Sequence, residues 1–286
     1  MERKFSLYSR ESLTDKEFEV FSNAEKDIEL YKMSNDDILK VISYCHCASI
    51  TDVKKCTDLI NKYMQDYEEA FFGERLCKTL VMERPAQYVD FSARESIRLT
   101  EKDVMDIVDY EDRFALKFII LGAYEGIGTY DIADILETDA DGINRQQKTI
   151  TAKSGHIYKC SQKLIDIAVS SAGEDAYPDT KGRMIETVKN GKIIRIKKLR
   201  SGKDTMSSAV LYNWLGRYRE TNGDERITLR RLYMSGFFNR YMEILKGRTY
   251  TKEIRPEFED LLDQYNKKDL ADTSLVNLKY YDRAIF

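Results

Sequence analysis

Apolar residues recur at helical spacing through the first eighty residues. Ser34-x-x-Asp37 has the form of an N-terminal capping box, and Ile38, Leu39, Val41, Ile42 and Cys45 follow it on one helical face. Thr14-x-x-Glu17 has the same form. After a break near Ala48–Thr51, Val53, Leu59, Ile60 and Tyr63 predict a third helix, and a fourth is predicted over 67–81. Residues 1–83 therefore read as a small helical domain. Pro85 and the polar stretch around it interrupt the pattern, so 84–97 is read as a linker and 98–286 as a second, larger domain. That domain opens on another capping-box spacing, Thr100 to Asp103, with Val104, Ile107 and Val108 as the apolar face. The next segment, 114–123, is apolar almost all round, as a fully buried helix is. It runs into Gly126-Ile127-Gly128 and a short helical piece over 131–136.

Beyond Asp139 the period changes from 3.6 to 2. Residues 149–153 and 156–160 flank Ser154-Gly155 and read as a β-hairpin. Helix resumes over 161–170, with Leu164, Ile165, Ile167 and Ala168 inward, and Tyr177-Pro178 reads as a helix stop. Asn190-Gly191 within 188–196 suggests a second hairpin, with Ile193, Ile194 and Ile196 as its apolar content. An amphipathic helix over 207–219 places Val210, Leu211, Trp214, Leu215 and Tyr218 on one side. Another begins after Ile227-Thr228 and carries Phe237, Phe238 and Tyr241, which like Trp214 read as core. The predicted class is mainly α with small β-hairpins (α+β).

Composition narrows the class further. With 42% hydrophobic and 33% charged residues the chain is globular, and only 3 of its 286 residues are proline, which favours helix. No run of apolar residues is long enough to cross a membrane, and the first residues lack the apolar stretch of a secretory signal. A cytoplasmic protein is expected, its five cysteines reduced. Cys45-His46-Cys47 has no second ligand pair at a zinc-site spacing, so neither a metal nor a cofactor is expected. The net charge of −3 excludes a uniformly basic nucleic-acid coat but leaves room for a local basic surface. Lys181–Lys203 supplies one: nine basic residues against Glu186 alone leave +8. His156, in the first hairpin, is expected to be exposed.

The stretch 124–139, YEGIGTYDIADILETD, resembles the first conserved box of the tyrosine recombinases (phage integrases). The resemblance implies a helical core-binding-like domain followed by a larger catalytic-like domain. In that family the turn presents an arginine to the scissile phosphate; here Gly128 stands in its place. The family's hairpin lysine falls on Lys153. Ile227, Thr228, Leu232, Ser235 and Gly236 match the second box, but its two histidines become Arg230 and Met234 and its arginine becomes Tyr233. Tyr265 lies roughly where the nucleophile would, with Tyr280 and Tyr281 as other candidates, and the tail 267–286 is read as packing on another subunit. A single phosphate-clamping arginine is worth on the order of 10³–10⁵ in rate, so the resemblance implies no catalytic residue in a working sense.

A recombinase frame with lost chemistry and a retained basic surface resembles the integrase-like lysogeny repressors of large Bacillus prophages. That implies a sequence-specific repressor of double-stranded DNA, associated with the nucleoid. The DNA contacts would be Lys153, Lys192, Arg195, Lys197, Lys198, Arg200, Lys203, Arg217, Arg230 and Arg231. Self-association or a regulatory protein partner is also implied, and no membrane. Two alternatives stand beside it. One is a divergent active recombinase using Lys153, Arg230 or Arg231, and Tyr265; the other is a protein-interaction regulator that does not bind DNA.

Overall fold

The computed structural model describes residues 35–72, 81–178, 182–197 and 205–281. The capping motifs at Thr14 and Ser34, like the basic residues Lys181, Lys198, Arg200 and Lys203, lie outside the described residues. The chain divides into two compact units, one of residues 1–97 with 277–285, the other of residues 98–276.

In the first unit α1 (Asn35–Tyr44) and α2 (Ile50–Phe72) are followed by a 3-10 turn, Pro85–Tyr88, and α3 (Phe91–Ile97). Ser49 starts α2 by accepting from the Asp52 amide at 3.2 Å while its hydroxyl donates to the Asp52 carboxylate at 2.9 Å. Val41, Ile42, Val53, Ile60 and Val89 form the centre of the core. The expected third and fourth helices are one element as far as Phe72, because the apolar period runs on without a breaker. The segment read as a linker is folded: Val89 is buried in the core, and Asp90 caps α3 by accepting from Ser92 N at 2.8 Å and Ala93 N at 3.2 Å. The tail returns here as well. Arg94 donates to the Lys279 carbonyl, and Tyr280 packs on the core beside Phe91 at 6.3 Å. Residues 279 and 280 of the tail thus pack within the first unit.

The three residues Cys45-His46-Cys47 do not converge. Both cysteines are buried, whereas His46 is exposed and its Nδ1 lies 2.6 Å from the Asp90 carboxylate.

The second unit is built round α5 (Phe114–Tyr124). Nine of its eleven residues are buried, as its unbroken apolar sequence requires, and α4 (Glu101–Tyr110), α7 (Gln162–Gly173) and α9 (Leu229–Leu245) pack against it. The Thr100–Asp103 capping box forms as the spacing predicts, and Ser161, Ser207 and Thr228 cap α7, α8 (Ser208–Asn222) and α9 with their side-chain oxygens. Such a cap contributes about 1 kcal/mol. Glycine allows the closest approach: a Cβ on Gly236 of α9 would lie 1.7 Å from the Tyr124 carbonyl oxygen at the end of α5.

A three-stranded antiparallel sheet holds β1 (Ile143–Asn144), β2 (Thr149–Thr151) and β3 (Ile157–Lys159), with Ile150 opposite both Ile143 and Tyr158. The first hairpin is thus present, with one strand more than expected. The second hairpin forms elsewhere. Residues 176–178 (β4) pair with 184–186 (β5), while 188–196 closes only through Val188 N to Ile196 O at 2.9 Å. Ile193, Ile194 and Ile196 are all buried, so consecutive residues face inward and the alternation of a two-sided strand is lost. Tyr177-Pro178 accordingly sits in a strand; the preceding helix has already ended at Gly173. A short α6 (Ala133–Leu136), a 3-10 stretch Lys252–Phe258, α10 (Glu259–Gln264) and α11 (Asp272–Asn277) complete the elements described. The class is mainly helical with small antiparallel sheets.

Candidate nucleic-acid interface

The turn after α5 is held from several sides. Glu125 is 2% exposed; its carboxylate accepts from Ser161 N at 2.8 Å and Ser161 Oγ at 2.5 Å, and Arg240 Nη2 stands 3.6 Å away. Burial pushes its pKa up, against the pull of Arg240 and Ser161. Gln264 Nε2 donates to the Glu125 carbonyl at 2.8 Å and the Lys159 carbonyl at 3.0 Å, and its Oε1 accepts from Lys159 N at 3.0 Å. One amide side chain therefore ties α10 to both the turn and β3.

Gly126 and Gly128 adopt φ of 98° and 96°, a region that side-chain-bearing residues enter at a cost. Space excludes side chains as well. A Cβ on Gly126 would meet the Gln264 carbonyl oxygen at 2.9 Å, and one on Gly128 would meet the Tyr233 hydroxyl at 2.5 Å. Positions 128 and 233, which the resemblance would match to two arginines, thus lie against each other. Tyr233 fills the room that a side chain at 128 would need. Its hydroxyl is buried with no hydrogen-bond partner among the described residues, and burial raises its pKa.

The other aligned positions fall apart. Met234 is 3% exposed and belongs to the core. Arg230 points to solvent, and Arg231 donates from Nη1 to the Glu225 carbonyl at 2.7 Å. Tyr265 is fully buried, its hydroxyl donating to the Tyr124 carbonyl and its ring edge-on to Phe237 at 5.4 Å. Burial drives its pKa up, away from the phenolate. Tyr280 and Tyr281 belong to the first unit, where Tyr281 is buried.

The first hairpin and the loop near Asn190 meet on the residues after α6. Asp134, fully buried, accepts from Ser154 N at 2.8 Å, Ser154 Oγ at 2.9 Å and the Tyr158 hydroxyl at 2.9 Å, fixing the hairpin turn. Thr138 Oγ1 accepts from Lys153 N at 3.1 Å and its carbonyl accepts from Ile193 N at 2.9 Å. Lys153 and Lys192 are thereby brought to one edge. Each has a carboxylate there: Lys153 Nζ lies 3.2 Å from Glu137, and Lys192 Nζ lies 2.7 Å from Asp139. Arg195 Nη1 and Lys189 Nζ share Asp175 at 3.1 and 3.5 Å. Lys197 and Arg217 are exposed, with no ion pair among the described residues. Two carboxylates from outside the stretch, Asp139 and Asp175, therefore offset part of the +8 read from the sequence. An exposed pair such as Lys153–Glu137 is worth about 0–1 kcal/mol, so a phosphate can replace the carboxylate there at little cost.

A second basic stretch escapes a reading by local density. From Gly142 to Ile165 there is no Asp or Glu, while Arg145, Lys148, Lys153, Lys159 and Lys163 fall within it. Lys159 and Lys163 pair with Asp260 and Asp109, both at 2.6 Å. Arg145 and Lys148, in the β1–β2 turn, are exposed with no ion pair among the described residues. The signal that finds them is the absence of acid, not the abundance of base. Beside the hairpin tip, Tyr130 stacks on His156 at 4.0 Å between ring centroids. His156 is consequently half-buried, where exposure had been expected.

Among the described residues no group of three or more His, Cys, Asp or Glu side chains is placed to hold a metal ion, and no helix is long and apolar enough to cross a membrane. The chain matches no protein-family model, and no curated protein sequence matches it.

Proposed function

We propose that this protein is a sequence-specific, double-stranded-DNA-binding transcriptional repressor that has a recombinase-like fold and does not cut DNA. The contact between Gly128 and Tyr233 carries the proposal. Phosphoryl transfer to tyrosine needs preorganised positive charge on the phosphate oxygens. Here the two positions that would supply it hold a glycine that admits no side chain and a tyrosine packed against it. The buried hydroxyl of Tyr265 supports the same reading, since an in-line attack requires an accessible oxygen. Lys153, Lys192, Lys197 and Arg217 are the described cations best placed to meet phosphates, with Lys198, Arg200 and Lys203 added from the sequence. Phosphate contacts supply affinity and register, and base contacts supply the sequence preference a repressor needs.

Two experiments test this. A nicked suicide duplex traps a covalent protein–DNA complex only if a tyrosine is a working nucleophile, and no such complex is expected. A gel shift on fragments from around the protein's own gene should show retarded complexes whose affinity falls roughly 10³–10⁵-fold between 50 and 200 mM salt, as for about six to ten phosphate contacts. Undiminished affinity after charge reversal at Lys197, Lys198 and Arg200 together would remove the basic stretch from the interface.

A further inference from the structure

We infer that the β1–β2 turn, Asn144–Lys148, is a base-reading tip that enters the major groove and recognises a guanine through Arg145 and an adenine through Gln146. This rests on the DNA-binding reading above and adds to it the element that carries sequence preference. The observations are local.

The turn joins β1 and β2 at one end of the three-stranded antiparallel sheet, and a projecting antiparallel strand pair is a shape that the major groove accommodates. Its ends are fixed. Asn144 Oδ1 accepts from Gln147 N at 2.9 Å, and Asn144 Nδ2 donates to Gln147 Oε1 at 3.1 Å. Lys148 takes a left-handed φ of 53°, and its carbonyl accepts from Cys160 N at 2.8 Å. Below the turn Ile143 pairs with the buried Ile150, and Gly142 lets the chains close, since a Cβ there would lie 2.4 Å from the Thr151 carbonyl oxygen. The stem is rigid, as a reading head must be.

Asn144 and Gln147 spend their amides on each other, which leaves Arg145 and Gln146 outermost. Both are exposed. Arginine offers the two-pronged donor that matches guanine O6 and N7, and glutamine the donor and acceptor that match adenine N7 and N6. Neither Arg145 nor Lys148 holds an ion pair among the described residues. Lys148 is placed to anchor the ribbon on the backbone beside the groove. Three described cations of the more basic stretch differ in this respect: Lys189, Lys192 and Arg195 already hold carboxylates.

The test uses the full chain. Duplexes bound by wild-type protein are selected from a random-sequence pool, and the same selection is run on Arg145→Ala and Gln146→Ala. Arg145→Ala should lose the preference for one guanine, and discrimination at that position should drop about 5- to 100-fold. Replacing that guanine by 7-deazaguanine should weaken wild-type binding and leave Arg145→Ala unchanged. Binding of non-specific duplex should fall only a few-fold in either variant. Circular dichroism melting should match wild type, since neither side chain is buried. If wild-type protein retards no duplex at low salt, the DNA-binding reading itself fails. If it binds DNA with a preference that both variants retain in full, the reading survives and the tip is overturned.

Discussion

Two regions of the second unit use glycine to opposite ends. Inside, at the end of α5, glycines and tyrosines close a space: Gly128 against Tyr233, and Gly236 against Tyr124 and Tyr265. Outside, on the three-stranded sheet and the loop before α8, glycines open turns and basic side chains stand in water. The interior contacts are fixed by van der Waals distance, so each is intolerant of a single added carbon. The surface contacts are ion pairs that exchange partners for about 1 kcal/mol or less. The glycine–tyrosine packing at the end of α5 is therefore the rigid region. The ion-paired surface proposed to meet phosphates is the adaptable one.

The largest effect should come from Gly236→Ala. Its Cβ would lie 1.7 Å from a backbone oxygen and 2.6 Å from the Tyr265 hydroxyl, so α5 and α9 must separate. A loss of roughly 3 kcal/mol or more in urea unfolding is expected; a loss below 1 kcal/mol would show that the two helices yield. Next comes the Gly128–Tyr233 contact. Gly128→Ala should cost about 2–4 kcal/mol, combining a left-handed φ with the 2.5 Å clash. Tyr233→Phe alone should be neutral or slightly stabilising, because it removes a buried hydroxyl without a partner among the described residues. In the double variant Gly128→Ala should cost at least about 0.5 kcal/mol less. Additive costs in that cycle would mean that the hydroxyl is not what excludes a side chain at 128.

On the surface, Lys197→Ala should leave stability within about 0.5 kcal/mol. It should weaken binding to duplex of any sequence a few-fold and reduce the salt slope by about 1. A changed base preference in that variant would move Lys197 from the phosphates to the base edges.

The smallest effect concerns pH. Burial holds the His156 imidazole below its ordinary value of 6.5, with Lys268 acting the same way and Asp134 and Asp263 opposing. The unfolded chain accepts the proton more readily than the folded one. The His156 contribution is therefore complete above the unfolded pKa of about 6.5 and is lost as pH falls through the lower folded value. His156→Phe keeps the stack on Tyr130 and removes the titration. Its melting temperature should fall about 1–2 °C less than that of wild type between pH 7 and 5.

The sequence by itself determined most of the local architecture. Ser161, Ser207 and Thr228 mark helix starts by carrying the oxygen that an unsatisfied first-turn amide needs. The apolar run 114–123 has no polar face and so must be buried. Ile150 and Tyr158 alternate with polar neighbours and so form a sheet with one buried face. Such features are legible because the chemistry of a capping oxygen or a period is complete within a few residues. The Asn190-Gly191 loop misled because three buried isoleucines and a chain returning along Thr138–Ala140 outweigh the turn's own preference. Local charge misled too. Lys181–Lys203 is dense in base, but Asp139 and Asp175 come from other segments to meet it, whereas Arg145 and Lys148 gain no such partner among the described residues.

Only the tertiary structure decided that Gly128 and Tyr233 touch. They are 105 positions apart, on elements brought together by the crossing of α5 and α9 at Gly236, and nothing in either segment alone encodes that a Cβ at 128 would meet the Tyr233 hydroxyl. Read along the chain, they are two unrelated residues. Packed together they are one contact, because the volume released by the glycine is the volume the tyrosine occupies.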